Sequence, residues 1–436
     1  MRRNRGKIES FALGLIALAG AAAGVAARTD VESLPTPALS GAMAPQLSPG
    51  QNGILLSWIE PAPGGDEPPP QSPDGSKERP LRLQMSRWDG TAWSDPGTIA
   101  ASASFFANWA DVPSVIEAPD GSLLAHWLQK SGPQTDAYDI QLARSTDSGR
   151  TWTPLGALND DQTQTEHGFA SLIPGPQGVH AFWLDGRETG GAGHGGPEGD
   201  HAAAAGAMTL RTALIGPRIG PGLSIDSMVC DCCPTAAAMT SRGPIVVYRD
   251  RAMDELRDIS IIRAGAEGWT RPRPVSVDGW KINACPVNGP AAAARGSRLA
   301  VAWYTGTRPG PLVRVAFSDD DGETFGPAWV IDGPTALGDP LGRVGVVLDD
   351  DDTAIVLWLD GEQGRAAVRL IRAAPCGMLG SAVTIGYTEA SRSSGVPRVV
   401  KHGEWVYVAW IAPGSHLKIS RVRAVEIPAV SYQTWR

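Results

Sequence analysis

The sequence predicts an all-β fold, a β-propeller built from four-stranded blades. Three observations lead there. Apolar strands that end in an aromatic residue recur along the chain, one per unit of fifty to seventy residues. The pattern S-x-D-x-G-x-T-[WF] occurs twice, as Ser145–Trp152 and Ser318–Phe325. Glycine and proline number 52 and 36 in 436 residues, which suits many short strands joined by many turns. No amphipathic helix pattern of useful length competes with this reading.

The N-terminus is set aside first. Arg2, Arg3, Arg5 and Lys7 precede an apolar run from Phe11 to Ala27, and Val25-Ala26-Ala27 offers small residues for cleavage. Residues 1–27 read as a secretory signal peptide, with an uncleaved anchor as the alternative. Residues 28–436 are then one propeller domain in a periplasmic or secreted protein. The formal net charge of -8 argues against a nucleic-acid partner. No other stretch has membrane length, so no membrane association is expected after cleavage.

The aromatic strands come next. They end at Trp58, Trp127, Trp183, Tyr248, Trp303, Trp358 and Trp410. Spacing between successive aromatics runs from 52 residues (Trp358 to Trp410) to 69 (Trp58 to Trp127). A repeat of that size with several short strands is a blade in sequence form. Seven aromatic strands favour seven blades, with six as the alternative. The last unit is short and must borrow a strand, for which residues 29–48 are the candidate.

The order within a unit is inner strand, turn, aromatic strand, loop, third strand, turn, outer strand. Antiparallel pairing sorts these positions by face. The start of the inner strand and the loop after the aromatic strand share one face. The two S-x-D-x-G-x-T turns lie on the other. Two insertions, Pro61–Pro80 and Glu188–Gly206, fall on the first face, where loops on a rigid scaffold usually carry function.

Counting back from each aromatic shows what gathers at that mouth. Asp111 lies sixteen residues before Trp127, His167 sixteen before Trp183 and Cys232 sixteen before Tyr248, with Cys233 following. Cys285 lies eighteen before Trp303, and Arg343 fifteen before Trp358. Five cysteines leave at least one outside a disulfide. Cys230-Asp231-Cys232-Cys233-Pro234-Thr235 is a dense thiol cluster. Thiolates and imidazole suit one copper or zinc ion. Cys230, Cys232, Cys233 and Cys285 with His167 are the candidate metal ligands, and Asp231 or Glu166 can orient a ligand from behind. An interblade disulfide from Cys285 to the first cluster is the competing reading, and a reactive thiol the third. Cys376 maps to the far end of its blade and reads as buried or incidental. The aromatic strands also end in charge, as Asp185-Gly186-Arg187 and Arg249-Asp250-Arg251. Such pairs either lock blades together or form a cationic pocket for a substrate carboxylate.

The paired S-x-D-x-G-x-T-[WF] stretches resemble the Asp-box of the sialidase superfamily. With the repeat length and export signal, the resemblance spans essentially the mature chain. It implies a propeller, and an exo-sialidase-type glycoside hydrolase acting on glycans. Three arginines then hold the sialic acid carboxylate, beside a Tyr–Glu pair and an Asp acid/base. Arg187, Arg251 and Arg343 are the triad by position, Asp111 or Glu166 the acid, and Asp250 a neighbouring carboxylate. Tyr248 or Tyr304 is the candidate tyrosine. The early Arg-Ile-Pro motif of that family is absent, and the thiol cluster is foreign to it. Two alternatives stand beside hydrolysis. One is a non-catalytic periplasmic propeller holding copper or zinc. The other is a glycan- or protein-binding scaffold with an exposed patch at Phe105, Phe106 and Trp109. A monomer with a glycan or other small ligand at the channel mouth is expected.

Overall fold

The computed structural model describes residues 29–63, 80–190 and 206–430. The signal-peptide stretch lies outside them, as do most of Pro61–Pro80 and Glu188–Gly206. Among the described residues, seven antiparallel sheets form seven blades. In chain order they occupy residues 43–102, 114–157, 167–226, 236–274, 291–332, 340–389 and 398–423, numbered here blades 1 to 7. The seven-blade expectation holds. Three short 3₁₀ turns are the helical content of these residues, and no helix is long and apolar enough to cross a membrane.

Blade 7 takes its fourth strand from the other end of the chain. Glu32–Leu34 pairs antiparallel with His416–Arg423, and Arg421 Nε donates to Glu32 Oε2 at 2.7 Å. The borrowed strand therefore falls within the expected stretch.

The core sits between blades. Each of the seven hydrophobic clusters draws its members chiefly from two neighbouring blades. Burial on both faces explains why strands such as Leu123–Lys130 and Ala354–Glu362 read as continuous apolar runs. All seven predicted aromatics are buried at matching positions of second strands. Their polar tips need partners there, because a buried donor left unmet costs about 1–3 kcal/mol. Trp58 Nε1 donates to Glu60 at 2.7 Å, Trp183 Nε1 to Asp185 at 2.9 Å, Trp303 Nε1 to Asp278 at 2.6 Å and Trp358 Nε1 to Asp332 at 2.7 Å. A third-strand arginine often pairs with that acid, as Arg82 does with Glu60 and Arg314 with Asp278.

The two S-x-D-x-G-x-T stretches close hairpins between third and fourth strands. In the first, Gly149 N donates to Ser145 Oγ at 2.8 Å and Thr151 N to Asp147 Oδ1 at 2.9 Å. Ser318, Asp320, Gly322 and Thr324 repeat the pattern. Gly149 and Gly322 have φ of 89° and 78°, the conformation that favours glycine. Strand alternation puts these turns on the face opposite the cysteine cluster, as expected. Cys376 is exposed in the corresponding turn of blade 6, so the buried alternative does not apply.

Candidate functional site

The innermost strands of all seven blades line a central channel that encloses a cavity of about 520 Å³. Its wall includes Asp111, His126, Phe169, Asn288, Arg343 and Arg398. The mouth is shaped by a repeated bulge. Ala44, Phe169, Val287 and Arg343 have φ between 48° and 53°, near the start of four inner strands. Register shifts accompany it in blades 1, 3 and 6. A bulge turns a backbone N–H away from its own ladder, and a side chain of the preceding blade meets it. Asp111 Oδ2 accepts from Phe169 N at 2.7 Å, and Asn288 Oδ1 from Arg343 N at 2.7 Å.

Asp111 is 2% exposed. Burial, reinforced by the charge of Glu166, pushes its carboxyl up to about 8 against the Phe169 hydrogen bond and Arg398. It is therefore a protonated acid at neutral pH. Tyr138 donates its hydroxyl to Glu166 Oε1 at 2.7 Å and stacks on Phe106 with ring centroids 4.0 Å apart. This tyrosine was missed from sequence, where attention fell on Tyr248 and Tyr304. The signal available was its place at the start of the third strand of blade 2, Tyr138–Ser145, on the mouth face. Tyr248 instead gives its hydroxyl to Asp226 in blade 3's outer strand, and Tyr304 stacks edge-on against Trp280 at 5.6 Å.

Two arginines face this region with neutral partners or none. Arg343 lies over the Trp109 ring at 4.7 Å, and its Nη1 donates to Ser391 O, Ser394 Oγ and Gly395 O at 2.8–2.9 Å. Burial and the nearby Arg392 lower it to about 10. Arg398, which sequence reasoning missed, opens the inner strand of blade 7 and is lowered by burial to about 10, with Asp111 opposing. Its Nε is buried without a hydrogen-bond partner among the described residues. His126 Nε2 is in the same condition, and burial holds this imidazole neutral, at about 4.

The other predicted arginines are occupied elsewhere. Arg187 binds Asp185 and Asp160 at 2.7 and 2.8 Å. Arg251 binds Asp231 and Glu255 at 3.2 and 2.7 Å. With Arg343 on its serine loop, the three share no partner, so the structure does not gather them on one carboxylate. Asp250 accepts from Ser260 Oγ at 2.8 Å, and burial with Asp226 raises it to about 6. Phe105 is buried against Trp127, Phe106 covers Tyr138 and Trp109 carries Arg343. These three are packing residues of the mouth and form no exposed patch.

The cysteines separate from His167. Cys232 and Cys285 form a disulfide, with Cα atoms 6.0 Å apart, that staples the loops leading into blades 4 and 5. Cys230 and Cys233 are buried free thiols beside it, and the sulfurs of Cys230, Cys232 and Cys233 lie within 4.8 Å of one another. Arg257 Nη1 donates to Cys230 Sγ at 3.4 Å. Although burial opposes it, the Cys233 hydrogen bond with the Arg257 and Arg249 guanidiniums holds the Cys230 thiol below its usual value. His167 sits in another cluster, with Nε2 3.2 Å from Asp161 and 3.8 Å from Asp185, and Nδ1 3.1 Å from Tyr138 O. Burial disfavours its charge, but Asp161 and Asp185 outweigh that and raise its pKa. The five-ligand metal set expected from register is thus divided. The interblade disulfide takes two of its sulfurs, and the aspartates take the imidazole.

No family model matches the chain, and no curated protein matches it in sequence. Solved structures do match in shape. A polysaccharide lyase described as an ulvan lyase has a TM-score of 0.54 at 11% identity, covering 90% of this chain and 96% of its own. An α-L-arabinofuranosidase from Fusarium graminearum has a TM-score of 0.46 at 13% identity, covering 92% and 99%. The NanB sialidase of Streptococcus pneumoniae has 0.42 at 13% identity, covering 92% and 70%. At these identities the likeness shows the fold alone. The chain is a seven-bladed β-propeller whose channel is lined by Asp111, Arg343 and Arg398 among others.

Proposed function

We propose that the protein is an exported, glycan-active propeller that cleaves an acidic sugar at this channel mouth. The observation that carries the reading is the pairing of a neutral acid with two guanidiniums that, among the described residues, no carboxylate pairs. Asp111 keeps its proton to about pH 8 in the cavity wall. Arg343 hydrogen-bonds neutral groups, and Arg398 Nε has no partner among the described residues. A sugar carboxylate or sulfate supplies the anion that such guanidiniums hold in a forked, charge-assisted contact. Asp111 then protonates the leaving glycosidic oxygen. Glu166, steadied by the Tyr138 hydroxyl, is the second carboxylate that glycoside hydrolysis uses. The ulvan lyase of similar fold, bound in one structure to -[GlcA(1-4)Rha3S]-, supports an acidic glycan as ligand class. Within that class, sialidase-type hydrolysis is the reaction we place first, with Arg343 and Arg398 on the sialic acid carboxylate.

The test is a panel of fluorogenic sialosides and uronic-acid glycans, followed by reducing-end release and by absorbance of unsaturated products. Cleavage is expected, with an alkaline limb near pH 8 as Asp111 loses its proton. Asp111→Asn keeps the Phe169 contact and should lose about 10²- to 10⁴-fold in rate. Unsaturated product would keep the acidic glycan and replace hydrolysis by elimination. Full activity in Asp111→Asn, or neither binding nor cleavage of any acidic glycan, would overturn the reading.

A further inference from the structure

We infer that Cys230 and Cys233 form a two-thiolate site for a soft monovalent cation, with copper(I) as the chemical class, beside the intact Cys232–Cys285 disulfide. The site is independent of the glycan reading. Four observations carry it. The two thiols are fully or almost fully buried, at 0% and 1% exposed. Their sulfurs lie within 4.8 Å of each other, close enough for both to bond one ion at metal–sulfur distances of about 2.3 Å. The disulfide commits Cys232 and Cys285, so the cluster offers two thiolates, too few for a closed tetrahedral zinc site. Among the described residues, no imidazole or carboxylate belongs to the cluster. His167 is held by Asp161, and Asp231 by Arg251. An all-sulfur pair selects a soft ion over magnesium, calcium or manganese.

The surroundings match the charge of the complex. Two thiolates on one copper(I) leave a net charge of -1, which needs compensation in a buried place. Arg257 supplies it directly, with Nη1 3.4 Å from Cys230 Sγ. It is held in position by Glu255, 2.7 Å from its Nη2. Arg249 adds a second cation near the cluster, fixed by the carbonyls of Asn288, Arg257 and Tyr304 at 2.6–2.9 Å and lying 4.6 Å from the Trp280 ring centroid. Binding replaces two S–H protons by one cation and involves no electron transfer, so the ion must arrive as copper(I).

The experiment uses the full chain with Cys376→Ser, which removes the exposed thiol on the opposite face. Thiol counting in denaturant should give two, confirming the disulfide. Titration with copper(I) against a chromophoric copper(I) chelator should show one equivalent bound. X-ray absorption should show two sulfurs and no nitrogen. Cys230→Ser and Cys233→Ser should each abolish retention by at least tenfold in competition. Circular dichroism identifies any variant that fails to fold, and silver(I) titration of the folded Cys376→Ser protein gives a second readout that needs no cluster mutation. The proposal falls if that protein retains no copper(I) or silver(I), if absorption shows an imidazole ligand, or if either serine variant keeps full stoichiometry. It also falls if thiol mapping finds Cys230 joined to Cys233. Glycan cleavage is scored separately, so either conclusion can fail alone.

Discussion

At the scale of single residues, the channel mouth depends on side chains crossing from one blade to the next bulge. Gly168 makes the dependence testable. A Cβ there would stand 2.0 Å from Asp111 Oδ2 and 3.2 Å from the Tyr138 ring. Gly168→Ala must therefore expel the Asp111 carboxyl and break its bond to Phe169. We expect a lower melting temperature, consistent with an overpacking cost of about 1–3 kcal/mol. We also expect loss of the alkaline limb near pH 8 in any measurable activity. An unchanged pH profile in Gly168→Ala would show that Asp111 is not the acid. Sequence register placed Asp111, Cys232 and Cys285 correctly at one end because inner strands share a direction. It could not reveal that His167 turns to Asp161 and Asp185. Both aspartates lie outside the inner-strand positions that register compares. Arg398 was hidden for a similar reason, since the short last unit gave no clear count back from Trp410.

At the scale of elements, the hairpin turns and the aromatic strands were legible, because their chemistry is local. Ser145, Asp147, Gly149 and Thr151 close a turn within a few residues, so spacing alone specifies it. The acids at strand ends were harder to read. Asp185 looked like a mouth charge, yet it accepts the Nε1–H of buried Trp183 two residues earlier, as Glu60 does for Trp58. The turns carry a pH signature. Hydrogen bonds from Thr151 and Ser145 depress Asp147 to about 2, and those from Thr324 and Ser318 outweigh burial to bring Asp320 to about 2. Each folded value lies below the unfolded value of 3.8. Their stabilisation is thus fully present above about pH 4 and lost as pH falls through 2. Asp147→Ala plus Asp320→Ala should lower the melting temperature at pH 7, with the gap to wild type closing towards pH 2. A gap that stays constant across that range would mean the carboxylates contribute no charge-dependent stability.

At the scale of the whole molecule, the blade count followed from seven aromatic strands. Closure followed from the shortness of the last unit, since an open sheet edge is a liability. The closing strand sets a limit on processing. Cleavage after Ala27 leaves Glu32–Leu34 intact, whereas a start at residue 35 removes it and bares the edge of His416–Arg423. We expect the mature protein to begin at residue 28 when its amino terminus is sequenced from the periplasm or medium. A chain starting at residue 35 should melt lower and associate with itself. Equal melting curves would show that the strand is dispensable. The same closure has a consequence in time. Synthesis proceeds from the amino end, so Glu32–Leu34 emerges before every other strand of the ring. Its partner emerges last, with Arg421 lying 389 residues beyond Glu32. The earliest strand must wait, unpaired, for almost the whole chain. An interrupted polypeptide cannot complete blade 7, and its open edge stays available to proteases and chaperones that recognise unpaired strands. The ring thus closes only once its last blade has been made.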